Sequence, residues 1–135
     1  MAVEVSLYAI PAITKRRRLT FKLLEEIVAR ELDIKPELFR EKTREQPVAV
    51  GRQIIWYLAR KYFRHPERPD RKIPYGVIAF VYRKNHATII HGERKAREML
   101  EGKDFYSQFL INADDIVLKT TYTNGKENMF DGGYR

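Results

Sequence analysis

The stretch that most restricts the fold is residues 84–96, KNHATIIHGERKA, where a polar turn runs into a segment apolar on one side and basic on the other. Asn85 is a favoured N-cap, because its side-chain oxygen can accept from an otherwise unpaired first-turn N–H, so a helix is predicted from His86. Ile89, Gly92, Ala96 and Met99 or Leu100 recur at helical spacing and form the stripe expected to be buried. His86, Ala87, Thr88 and His91 crowd the other side of the first turns, with Arg94, Lys95 and Arg97 behind them. That order suits a helix entering the major groove of duplex DNA by its N-terminus, with early side chains on base edges and free N–H groups and later cations on phosphates. A merely solvated basic face has the same composition. His86 and His91 lie five apart on different faces, and the chain has no cysteine to complete a soft ligand set, so no metal site and no cofactor are expected.

Prolines and helical periods place the other elements. Thr20 is positioned to cap a helix through about Leu32, with Leu24, Ile27 and Val28 on one face. Pro36 suits the first position of a short helix that offers Leu38 and Phe39 to the core. A charged connection follows, and Pro47 opens a stronger helical pattern through Tyr62, with Ile54, Ile55, Leu58 and Tyr62 facing inward and Trp56 off that stripe, partly exposed. Residues 64–72, RHPERPDRK, carry two prolines and cannot continue either neighbour, so they read as a loop. Pro74 then begins a short helix to about Val81, with Val77 and Val81 inward and Ile78 beside them. Short helix, tight turn at 83–85 and longer helix make a helix-turn-helix.

The two ends read differently. Residues 3–10 alternate as a short strand would. Lys15, Arg16, Arg17 and Arg18 form a candidate basic arm along a phosphate backbone or minor groove. Beyond Gly102, Asp104 is a candidate cap for DFYSQFLI, the β-branched run IVLKTTYT reads as a strand, and Asn124-Gly125 as a two-residue turn. The expected organisation is an N-terminal arm over 1–19, a helix-turn-helix domain over 20–101 and an extension over 102–135. The fold class is mainly α, a helical bundle with possible short strands at the termini.

Charge narrows the partner. The chain carries 26 basic and 18 acidic side chains, a net of +8, and 22 of the cations fall within residues 1–100. A basic body with a net acidic end favours a polyanion for the former and a different task for the latter, such as binding a protein. No apolar run is long enough to span a bilayer and no secretory leader is visible, so a cytoplasmic protein, nucleoid-associated when bound, is expected without a membrane partner. Oligomeric state is left open.

With the order of elements in view, residues 20–100 resemble the C-terminal DNA-binding domain of the bacterial replication initiator DnaA, a Trp-repressor-like helix-turn-helix. Two blocks carry the resemblance, ARELDIKPELF with VAVGRQIIWYLAR, and KNHATIIHGERKA. It implies an all-helical fold that binds double-stranded DNA, with Lys84, Asn85, His86, Ala87 and Thr88 at the major groove and Arg52 and Gln53 at the start of the helix after the basic loop. Arg83, Arg94 and Lys95 are expected on phosphates, with His91 nearby. Lys84 stands where the family has arginine, Asn85 where it has aspartate, Ala87 where it has threonine, and Val50 where some members carry a minor-groove arginine. Residues 64–72 lengthen the connection before the helix-turn-helix by about seven residues. No G-x-x-x-x-G-K-[ST] phosphate loop precedes the domain, so nucleotide-driven assembly of a full initiator is not expected. The implied function is a non-enzymatic, sequence-selective DNA binder, an accessory replication or regulatory factor of a prophage or mobile element. The alternative is a protein-interaction module on the same scaffold without base readout.

Overall fold

Thr20 begins the first helix as its side chain predicts. Its hydroxyl oxygen accepts from the Leu23 N–H at 3.1 Å, and α1 runs Phe21–Leu32. Asp33 ends it by taking a left-handed conformation, φ 57°, from which its N–H reaches the last carbonyls. The inward face holds Phe21, Leu24, Ile27 and Val28, all buried. A 3-10 helix follows at Pro36–Arg40 and buries Phe39. Then come α2 (Gln46–Tyr62), α3 (Tyr75–Tyr82), α4 (His86–Gly102) and α5 (Ser107–Thr120).

This computed structural model describes residues 17–121. The alternating segment at 3–10, Lys15, Arg16 and the Asn124-Gly125 turn lie outside them. Among the described residues the chain is mainly α, with five α-helices and two isolated β-bridges but no strand. No helix among them is long and apolar enough to cross a membrane.

The centre of the bundle is α2. It packs most extensively on α4 and also on α1, while α3 leans on α4 and α5 on α1. Ile54, Ile55 and Leu58 are fully buried, as their spacing predicts. Trp56 is not partly exposed as expected but only 4% accessible. A neighbour that the local pattern cannot reveal makes room for it: Gly92 of α4 has no side chain where the indole lies.

The second correction concerns α5. Residues 116–120 are helical and not a strand. Leu110, Ala113 and Val117 recur on one face and are buried in the common core, and that packing outweighs the β-branched preference of Ile116, Val117 and the threonines. Asp104 acts one step before the helix: its side chain accepts from the Tyr106 N–H at 2.8 Å and its carbonyl from the Ser107 hydroxyl at 2.7 Å. Two side chains of α2 fix the outer face of α5. Lys61 pairs with Asp114 at 2.6 Å, and the Tyr62 hydroxyl donates to the same carboxylate.

A polar triad ties α1 to the helix-turn-helix. Glu25, buried on α1, accepts from the Arg40 guanidinium at 2.6 Å and from the Tyr82 hydroxyl at 2.5 Å. Burial, reinforced by the adjacent carboxylate, raises the Tyr82 pKa well above the ordinary tyrosine value. Tyr62 is raised as well, again by burial first and by Asp114 second.

Candidate nucleic-acid interface

The turn between α3 and α4 is made by two residues with opposite tasks. Arg83 closes α3 in a left-handed conformation, φ 56°, with its N–H directed to the carbonyls of Ala79 and Phe80. Asn85 opens α4: its side-chain oxygen accepts from the Thr88 N–H at 2.8 Å and from the Thr88 hydroxyl at 2.9 Å. Both acceptor positions of that oxygen are therefore engaged, and only the amide nitrogen remains to meet a base. A bidentate reading of adenine, which needs acceptor and donor together, does not fit this cap.

Close packing and one polar bond seat α4. A Cβ on Gly92 would come within 2.7 Å of Trp56 Cζ3 and closer still to Cε3, so α4 rests directly on the indole of α2. At the other end of the contact the Tyr75 hydroxyl of α3 donates to Glu93 of α4 at 2.6 Å, and Arg97 pairs with the same carboxylate at 3.3 Å. Burial first, and the Glu93 bond second, push the Tyr75 pKa up. The Arg60 guanidinium lies 4.0 Å over the Tyr75 ring. His86, the first residue of α4, stands against Gly76 of α3, where a Cβ would lie 2.9 Å from Nε2.

What this seat presents is a run of exposed groups: Arg83, Lys84, Asn85, His86, Ala87 and then His91, Arg94 and Lys95, with Thr88 half-buried beneath its cap. None of the cations Arg83, Lys84, Arg94 and Lys95 is ion-paired to a described residue. Lys95 shares a shallow groove of about 370 Å³ with Gln53, Val50 and Gln46, so the α2 start and α4 face one opening. Val50 is itself only 5% exposed.

Two other predicted positions lie elsewhere. Arg52 is buried, and its guanidinium donates to the carbonyls of Phe39 at 3.0 Å, Thr43 at 2.8 Å and Leu38 at 3.3 Å, and also to Glu41. It ties the 3-10 helix and the following loop to α2, with four of its five N–H groups engaged by these carbonyls, so in this conformation it is a buried structural group and not an exposed contact for a duplex. Of the basic arm, Arg17 and Arg18 are exposed, and the Arg17 N–H donates to the Thr120 carbonyl at 2.8 Å. Arg17 lines a groove with Leu23, Ile27, Ile34 and Thr120, at the junction of α1 and α5 and not at the α3–α4 turn. The Tyr75–Glu93 clamp and the Arg60 stack are not legible in the sequence, since no local pattern marks contacts that join side chains from separate helices.

Comparison with known proteins identifies a helix-turn-helix family over the same helices. The family described as bacterial dnaA protein helix-turn-helix matches residues 21–96. Curated relatives, each described as a chromosomal replication initiator protein DnaA, include one from Aliarcobacter butzleri, 33% identical over 94 residues, which are 70% of this chain and 20% of the relative. The protein of Thermoanaerobacter sp. is 32% identical over 108 residues, 78% of this chain and 23% of that one. That of Caldanaerobacter subterraneus is 36% identical over 95 residues, 69% of this chain and 20% of its own length. The chain thus corresponds to between a fifth and a quarter of these relatives. No solved structure matches significantly. The family match ends within α4 and leaves α5 outside it.

Proposed function

The chain belongs to the bacterial DnaA helix-turn-helix family, and from that premise we propose that it binds double-stranded DNA sequence-selectively, with the N-terminus of α4 in the major groove. The observation that carries the reading is the exposed run at the start of α4, set between cations that are not ion-paired to any described residue and packed closely on Trp56. Arg83, Lys84, Arg94 and Lys95 hold the phosphates and supply affinity that falls with salt. His86, the Asn85 amide nitrogen and the Ala87 methyl, which suits a thymine methyl, supply the base contacts. Gln53 and Lys95 flank the neighbouring groove. The biological role proposed with this is an accessory replication or regulatory factor of a prophage or mobile element. The changes from the family signature at Lys84, Asn85 and Ala87 alter the groups presented at the start of α4, which supports a site other than the family's usual one.

Substitutions separate these roles. Asn85→Asp keeps the cap acceptor but exchanges the amide donor for an acceptor, and His86→Ala removes an exposed ring. Each is expected to cut the preference for a matched over a scrambled duplex by about 1–3 kcal/mol, roughly 5- to 150-fold. Lys95→Ala should weaken both duplexes alike. Equal losses on both duplexes for all three variants, measured by anisotropy titration, would refute the division.

Arg83→Gly moves stability and binding in opposite directions. Glycine relieves the left-handed backbone at a small entropic cost in the unfolded chain, so the urea midpoint is expected to rise by the equivalent of about 0.5–1 kcal/mol. The slope of log affinity against log salt is expected to fall by about 0.9 through loss of one phosphate contact. A fall in stability with an unchanged slope would place the arginine side chain in the fold and not on the duplex.

A second reading concerns the extension. Phe105 is 76% exposed, Ile111 48% and Leu118 44%, on or beside a helix that the family match leaves out. This apolar surface favours a protein partner at α5, compatible with DNA at α4. Ile111→Lys with Leu118→Lys should abolish such association in analytical ultracentrifugation with a candidate partner while leaving duplex affinity unchanged; lost duplex binding would argue against two separate surfaces.

A further inference from the structure

Residues 64–72 are not a plain solvated loop. An antiparallel bridge joins Arg64 to Lys72, the His65 N–H donates to the Arg71 carbonyl at 2.8 Å, and an inner turn is closed by Arg71 N–H to the Arg68 carbonyl at 2.9 Å. The Glu67 N–H donates to His65 Nδ1 at 3.0 Å. Below the bridge the Ile73 N–H donates to the Phe63 carbonyl at 3.1 Å, and both side chains are buried in the core, 0% and 1% exposed. Arg60 donates to the Ile73 carbonyl from α2. The loop is thus a short hairpin with a fixed base, and a stretch that only needed solvation would require neither the closure nor the anchors.

We propose that this hairpin is a second duplex-contacting element, gripping the phosphate strand that borders the groove entered by α4; the proposal rests on the duplex-binding reading above. It carries Arg64, Arg68, Arg71 and Lys72 against Glu67 and Asp70. Arg68, Arg71 and Lys72 are exposed, and none of the four cations is ion-paired to a described residue. Its position follows from the chain. Lys72 is four residues before Gly76, so their Cα atoms are at most about 14 Å apart. Gly76 is packed against His86, the first residue of α4. The hairpin base therefore sits at the end of the helix-turn-helix that presents His86, within reach of a backbone bordering a major groove about 12 Å wide. Tyr75, held between Arg60 and Glu93, keeps that relation fixed. Phosphate contacts are sequence-independent, so the hairpin adds affinity and footprint and leaves selectivity to α4.

The test compares the wild-type chain with a variant carrying Arg64→Gln, Arg68→Gln, Arg71→Gln and Lys72→Gln, which keeps Phe63, Ile73 and both prolines. The probe is a mixed-sequence duplex of about 30 base pairs titrated across salt, with thermal melting of both proteins. The variant is expected to melt with the wild type and to lose about 2–4 in the slope of log affinity against log salt, near 0.9 per contact. Should the fourfold variant melt early, Arg68→Gln and Arg71→Gln singly are each expected to lower the slope by about 0.9 at unchanged melting. Slopes equal to the wild type would overturn the hairpin contact while leaving the duplex-binding reading intact. A wild-type chain that binds no duplex would overturn both.

Discussion

Gly92→Ala is expected to destabilise this protein by about 1–3 kcal/mol, although in the middle of a helix alanine ordinarily gains about 1 kcal/mol over glycine. The sign is decided by the indole. A Cβ at position 92 would lie 2.7 Å from Trp56 Cζ3 and closer to Cε3, and Trp56 is 4% exposed with little freedom to give way. Either the ring leaves its place against Tyr82, whose centroid is 5.8 Å away, or α4 lifts off α2. Both undo the contact that aims the start of α4. Gly102, the last residue of the same helix, has nothing within 4 Å of such a Cβ. Gly102→Ala is therefore expected to be neutral or to gain up to about 1 kcal/mol. Urea midpoints of the two variants check this directly; a Gly92→Ala protein as stable as Gly102→Ala would mean that α4 is not seated on Trp56.

The second large effect is alkaline. Tyr82 and Tyr62 are buried against carboxylates, and their pKa values are raised above the ordinary value of 10.0. Below pH 10 both hold their protons in folded and unfolded chains alike, and the stabilisation is complete. Above it the unfolded chain releases protons that the folded chain retains, so stability falls as pH rises. Each tyrosine then contributes a loss of about 1.4 kcal/mol per pH unit. Between pH 9 and pH 11 the pair should remove about 3 kcal/mol, read as a shift in the urea midpoint. Tyr75 is raised in the same direction, so Tyr62→Phe should remove about a third to a half of the dependence, at a smaller fixed loss from its bond to Asp114. An unchanged pH dependence in Tyr62→Phe would show that the hydroxyl ionises freely and that α5 is not fastened as described.

The features that could be read in the sequence are those decided locally. Thr20 and Asn85 cap the helices they were expected to cap, and Pro36 and Pro47 fall in first turns, because capping and proline geometry depend on a few successive residues. The buried stripe Ile89, Gly92, Ala96 and Met99 follows from helical period alone. The errors arose where distant residues decide. Trp56 is buried because Gly92 vacates its place, and residues 116–120 are helical because Leu110, Ala113 and Val117 pack into the common core where α5 lies on α1 and α4. At the candidate interface, exposure along residues 83–87 was legible from the pattern of α4. The diversion of Arg52 to four carbonyls was not, since nothing in its own neighbourhood shows where residues 38–43 fold back. The Asn85 cap was legible, but not its consequence, that capping consumes the acceptor which a base contact would use.

The central claim is that the start of α4 reads a DNA sequence. Selection from a random duplex pool, with recovered sequences titrated against scrambled controls at physiological salt, tests it most directly. A single recovered motif, bound at least about 10³-fold more tightly than scrambled duplex, with that preference cut roughly 5- to 150-fold in His86→Ala, is the predicted result. A pool that returns no motif, with every duplex bound alike along one steep salt slope, would contradict it.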